Sequence, residues 1–215
     1  MEKATRRLYA WLAFFAFAGL TISLFLNAFN IDPVAVTDKT LFHLDTAPIR
    51  TVAFFSYFTI WSNILVVIIG LTTAAAKDTS KYFGTLFATT LIMITITGLV
   101  YNTVLLPAYP PEGWYWLTSA LMHMVAPTMY IYIWLKKGPR GFINPNKSLQ
   151  ILTIPILYLI YTVAHGLVIK QWPYKFLDLT TEGFLLWIVG VMVIFGFGVL
   201  LIFGFSKLDR KPLKA

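Results

Sequence analysis

GFLLWIVGVMVIFGFGVLLIFGF, residues Gly183–Phe205, decides the fold class. It contains no charged side chain, and it exceeds the run of about 20 apolar residues that a helix needs to cross a bilayer. Five further stretches pass the same test: Leu8–Phe29, Val52–Ala76, Tyr82–Leu106, Trp114–Leu135 and Leu149–Ile169. Composition agrees. Of 215 residues, 58% are hydrophobic and 12% charged, with a mean hydropathy of +0.74. Soluble chains run nearer 45–50% apolar and about 25% charged. The expectation is an all-α integral membrane protein, with six transmembrane helices in one bundle spanning residues 1–215. Lys3, Arg6 and Arg7 open the chain as they would a signal peptide, but the apolar run behind them outlasts the usual 7–15 residues. Leu8–Phe29 therefore reads as a span.

Orientation follows from the basic residues between spans. The N-terminus, Lys77, Lys81, the loop KKGPRGFINPNKS (Lys136–Ser148) and the C-terminus hold most of the 17 Lys and Arg. Lys39, Arg50, Lys170 and Lys175 are the four on the other side. Both termini are expected in the cytoplasm, and the chain in the cell membrane. Tyr109, Trp114, Tyr115, Trp116, Trp172 and Tyr174 read as an outer aromatic belt, and Tyr9, Trp11, Tyr82, Tyr132 and Trp134 as an inner one. The net charge of +8 then belongs to cytoplasmic loops and implies no nucleic-acid partner.

Several chemistries are excluded. With no cysteine there is neither a thiolate metal site nor a Cys nucleophile. No phosphate loop, GxGxxG or HExxH is present, so no cofactor is implied. His123 and His165 are the histidines within spans, and two ligands are too few for a metal site. No Asp, Glu, Lys or Arg lies deep in a span, which speaks against an ion pump or proton-coupled carrier.

Polar groups gather towards the outer ends of four spans. Ser56, Thr59 and Asn63 share one helical face, with Ser62 beside them. Ser119 and His123 lie four apart on the fourth span. Tyr101, Asn102 and Thr103 end the third, and Tyr158, Tyr161, Thr162 and His165 the fifth. Thr59 and His123 fall at similar depth, about 10 and 14 Å from the outer ends of their spans. A threonine hydroxyl is too weakly acidic to attack an ester unaided, and an imidazole can take its proton. Thr59 as nucleophile and His123 as base are the natural pair. Ser119 or Asn102 could orient the imidazole, and Asn63 or Asn102 could donate to an oxyanion. Tyr101, Ser62 and His165 are further candidates for binding or orienting substrate. The bland reading of each hydroxyl is a bond to its own helix or a helix contact.

FFSYFTIWSNIL (Phe54–Leu65), GLVYNTVLLP (Gly98–Pro107), LMHMVAP (Leu121–Pro127), GPRG (Gly138–Gly141), YTVAHG (Tyr161–Gly166) and WPYKFLD (Trp172–Asp178) together resemble the bacterial "Pr-six-Pr" six-span membrane family. The same pattern is distantly similar to the androgen-induced and androgen-dependent TFPI-regulating membrane proteins. That resemblance implies a hydrolase of fatty acid esters of hydroxy fatty acids, with an intramembrane Thr and His at the positions of Thr59 and His123. Ser119 and Ala120 stand where that group carries a second histidine.

Two main readings follow. One is an intramembrane hydrolase whose partner is a membrane lipid or lipid-like ester reaching Thr59 and His123 from the outer leaflet. The other is a non-enzymatic membrane protein that binds or moves a small amphipathic ligand through the same cavity. A purely structural role, with the polar groups as helix glue, is the third. The stretch Asn30–Thr51 suits a cap over the cavity or a plain surface loop, and oligomeric state is open.

Overall fold

The computed structural model describes residues 2–29, 46–77, 82–170, 172–180 and 183–209. Residues 30–45, most of the stretch considered as a cap, and His43 within them lie outside the described residues. The described residues are helical, with no strand among them. In chain order the helices are α1 (Lys3–Phe29), α2 (Ala47–Phe54), α3 (Phe58–Ala74), α4 (Phe83–Val100), α5 (Leu106–Ala108), α6 (Tyr115–Ala120), α7 (Ala126–Lys137), α8 (Ser148–Ile151), α9 (Thr153–Ile169) and α10 (Gly183–Asp209). Two five-residue π-helical turns join neighbours without interrupting them: Tyr101–Leu105 between α4 and α5, and Leu121–Val125 between α6 and α7. Four helical stretches are long and apolar enough to cross a membrane: Lys3–Phe29, Phe83–Ala108, Pro145–Ile169 and Gly183–Asp209.

α4 is the central post. Apolar on every side, it is buried on every side, as such a helix must be. In its most apolar window 72% of the Phe83–Ala108 residues are buried, against 11% for Gly183–Asp209, which lies at the rim. Phe87, Leu91 and Ile94 of α4 meet Tyr9 and Leu12 of α1, Val66 and Ile69 of α3, and Tyr130 and Trp134 of α7. Gly70 lets α1 and α3 close on each other. A Cβ there would stand 2.8 Å from both Ala13 Cβ and Tyr9 O.

Two expectations change. The stretch Val52–Ala76 is not one helix. α2 closes at Phe54, and Ser56 N and Tyr57 N turn back to Ala53 O and Phe54 O. The carbonyls this leaves are satisfied sideways: Trp61 Nε1 donates to Phe55 O at 2.9 Å, and Tyr158 Oη to Ser56 O at 2.9 Å. The belt is also smaller than expected. Tyr82, Tyr109, Tyr132, Trp11, Trp114 and Trp116 are exposed, but Tyr9, Trp134 and Trp172 are buried. Trp134 lies inside because its polar edge is served there: Asp209 accepts its Nε1–H at 3.3 Å, and the Arg140 guanidinium sits 4.8 Å from its ring. Trp172 packs flat on Gly166, where a Cβ would come within 2.5 Å of the ring.

Candidate functional site

The site is built on a proline device. Pro127 has no N–H, so the carbonyl of His123, one turn back, loses its helical donor. The π-helical turn frees a second carbonyl, because Ala126 N reaches past Met122 to Leu121 O. Two asparagines from other helices fill both vacancies. Asn102 Nδ2 donates to His123 O at 2.9 Å, and Asn63 Nδ2 donates to Met122 O at 3.2 Å. Each amide spends its other hydrogen on its own helix, Asn102 on Gly98 O at 2.7 Å and Asn63 on Thr59 O at 2.9 Å. Neither retains a donor for an oxyanion; both hold the bulge that carries His123. The same device recurs deeper in the fold, where Pro155 orphans Ile151 O and Thr89 Oγ1 donates to it at 2.8 Å.

The bulge points His123 at Thr59. Thr59 Oγ1 and His123 Nε2 are 3.1 Å apart. His123 Nδ1 lies 3.1 Å from Ser119 O. A carbonyl can only accept, so Nδ1 carries the ring proton and Nε2 presents its lone pair to the threonine. The Thr59 hydroxyl therefore donates to Nε2, the tautomer a general base requires. Ser119 orients the imidazole through its main chain rather than its hydroxyl. Tyr101 fixes the ring plane from one face, stacked with centroids 3.6 Å apart and 11° between planes. Gly98 is what lets these helices meet: a Cβ there would lie 2.8 Å from Pro127 Cβ and 3.4 Å from His123 O.

Thr59 stands in the first turn of α3, directly after the break at residues 55–57. The first amides of a helix have no intrahelical acceptor. Among the described residues, those of Phe58 and Thr59 have no backbone carbonyl acceptor, whereas Ile60 N already bonds Tyr57 O at 3.1 Å. The Tyr174 phenol covers them. Burial pushes its pKa up, and the amides of Thr59 and Phe58, which donate to it, offset part of the rise. Sequence reasoning placed Tyr174 in a belt; its place in the segment WPYKFLD was the signal for more.

The remaining candidates separate from this centre. Ser62 Oγ donates to Thr59 O at 2.9 Å and pairs with Thr97 Oγ1 at 2.8 Å, fully buried. His165 belongs to a second cluster: its Nε2 is 3.3 Å from Ser56 Oγ, which is also 3.3 Å from Tyr161 Oη. That cluster ties α9 to the break between α2 and α3. Among the described residues no three His, Cys, Asp or Glu side chains gather as metal ligands.

One wall of Thr59 faces a half-open apolar groove between α4, α9 and α10. Tyr101 and Tyr174 line it near Thr59, and Ile96, Leu152 and Gly198 meet one another further along it. Comparison with known proteins finds no matching family model, curated protein or solved structure.

Proposed function

We propose that this chain is an intramembrane hydrolase of a lipid-like ester, of the fatty acid ester of hydroxy fatty acid type. The observation that carries this is the Thr59 Oγ1–His123 Nε2 pair at 3.1 Å, with Nδ1 committed to a carbonyl. In this reading the protein crosses the cell membrane six times, with both termini cytoplasmic. The four long apolar helices supply four crossings, α2–α3 and α6–α7 the other two.

Thr59 Oγ attacks the ester carbonyl carbon as His123 Nε2 takes its proton. The negative charge moves to the carbonyl oxygen, which takes the place of the Tyr174 hydroxyl at the amides of Phe58 and Thr59. The bond from carbon to the alcohol oxygen then breaks, and His123 returns the proton to that oxygen. Water attacks the acyl-threonine, His123 takes a proton from the water and passes it to Thr59 Oγ, and the carboxylic acid leaves. Purified protein in detergent is expected to hydrolyse such an ester, and Thr59→Ala and His123→Ala to abolish turnover while remaining folded. Turnover that survives Thr59→Ala would assign the nucleophile elsewhere. Absence of turnover in the parent would favour a non-enzymatic protein that binds or moves an amphipathic ligand in the same groove.

A further inference from the structure

The groove beside Thr59 has a direction. His123 must hand its proton to the departing alcohol oxygen, so the alcohol portion of an ester lies on the His123 side of Thr59. Thr59 lines the groove, but His123 does not; Tyr101 stands between the ring and the groove. The chain on the other side of the scissile carbonyl is the one that can enter.

The groove also has an end. From Tyr101, level with Thr59 through His123, it runs along α4 to Ile96, five residues or about 7 Å at the rise of a helix. There Gly198 of α10 faces Leu152 and Ile96. A Cβ on Gly198 would meet Leu152 Cδ2 at 3.4 Å and Ile96 Cδ1 at 3.8 Å, so any larger side chain would press on both. Gly198 is buried although its helix is mostly exposed. A glycine at this position costs helix stability and leaves space in the groove where a side chain would stand. Two residues earlier, Gly196 faces nothing within 4 Å and does not touch this floor.

We propose that the groove receives the acyl chain of the substrate, that its depth selects acyl groups of medium length, and that Gly198 is the residue that sets the limit. This rests on the hydrolase reading of Thr59 and His123. It assigns the acyl half of the ester to the groove and leaves the alcohol half outside it.

The test is a series of p-nitrophenyl esters, butyrate, octanoate, decanoate and palmitate, with the detergent-purified full chain and three variants. Gly198→Leu fills the floor from α10 and Leu152→Trp from the opposite wall, while Gly196→Leu adds the same bulk to the same helix away from it. The parent is expected to prefer octanoate or decanoate to palmitate. Both floor-filling variants should keep butyrate turnover and lose octanoate and decanoate turnover by about tenfold or more, the scale at which hydrophobic pockets discriminate added methylenes. Gly196→Leu should keep the parent profile. Parent turnover with a profile that neither floor variant changes, or a loss spread evenly over all four esters in both, overturns the assignment of the groove. No turnover of any ester by the parent overturns the hydrolase reading itself, and the groove assignment with it.

Discussion

Asn102 donates its side-chain amide to the main-chain oxygen of His123 at 2.9 Å, taking the place of the N–H that Pro127 lacks. The two residues come from the two π-helical turns, and the bond holds the imidazole-bearing turn against the one that follows α4. Asn102→Leu leaves that buried carbonyl unpaired and is expected to cost about 1–3 kcal/mol of stability. Pro127→Ala returns an N–H to the helix one turn beyond His123. In the Pro127→Ala background Asn102→Leu should therefore cost less, a coupling readable in a double-mutant cycle of thermal unfolding. Equal costs in both backgrounds would show that the asparagine does not act on this carbonyl.

Thr59→Val keeps the shape of the side chain and removes the hydroxyl. Turnover is expected to fall by about a thousandfold or more, as for other nucleophiles in hydroxyl–imidazole pairs. Thr59→Ser, which keeps the hydroxyl, should retain measurable turnover. Thr59→Ser should unfold like the parent, whereas Thr59→Val, which leaves the buried His123 Nε2 without its donor, should unfold at a somewhat lower temperature.

Gly98→Ala tests the fit of the helices. Its new Cβ would stand 2.8 Å from Pro127 Cβ, so the π-helical turn must shift. Displacing His123 by a fraction of its bond length to Thr59 is expected to lower kcat by about a hundredfold, with KM moved far less, since the groove walls stay in place. A change in KM alone would contradict this.

Tyr174 gives an alkaline signature. Its phenol is held above its ordinary value by burial, so the folded state resists its ionisation. The unfolded chain ionises first, near pH 10, and stability should fall as pH rises from there through the folded value. Tyr174→Phe removes this contribution, and its unfolding midpoint should decline less steeply above pH 10 than that of the parent. Identical slopes would place the phenol in water.

The four long helices were legible because apolar runs of this length form helices, and Thr59 and His123 were legible as a pair from matched depth. The shape of the site was not. Nothing in FFSYF marks the break at residues 55–57, since no Gly or Pro stands there and the freed carbonyls are satisfied by Trp61 and Tyr158 from elsewhere. Pro107 and Pro127 each follow a π-helical turn, and nothing in the residues around them marks that geometry. Trp134 and Tyr9 look like interface residues by type, and only the Asp209 carboxylate and the loop carrying Arg140 explain why Trp134 is inside. Ser119 could be named as a residue to orient the imidazole, but not that its carbonyl would be the group at Nδ1.

The most direct measurement is an acid-quenched first turnover on a p-nitrophenyl ester, followed by mass spectrometry of the peptides. An acyl group on Thr59 is expected in the parent, and none in Thr59→Val. An acyl group on Ser56, or turnover with no acyl-protein at all, would contradict Thr59 as the nucleophile.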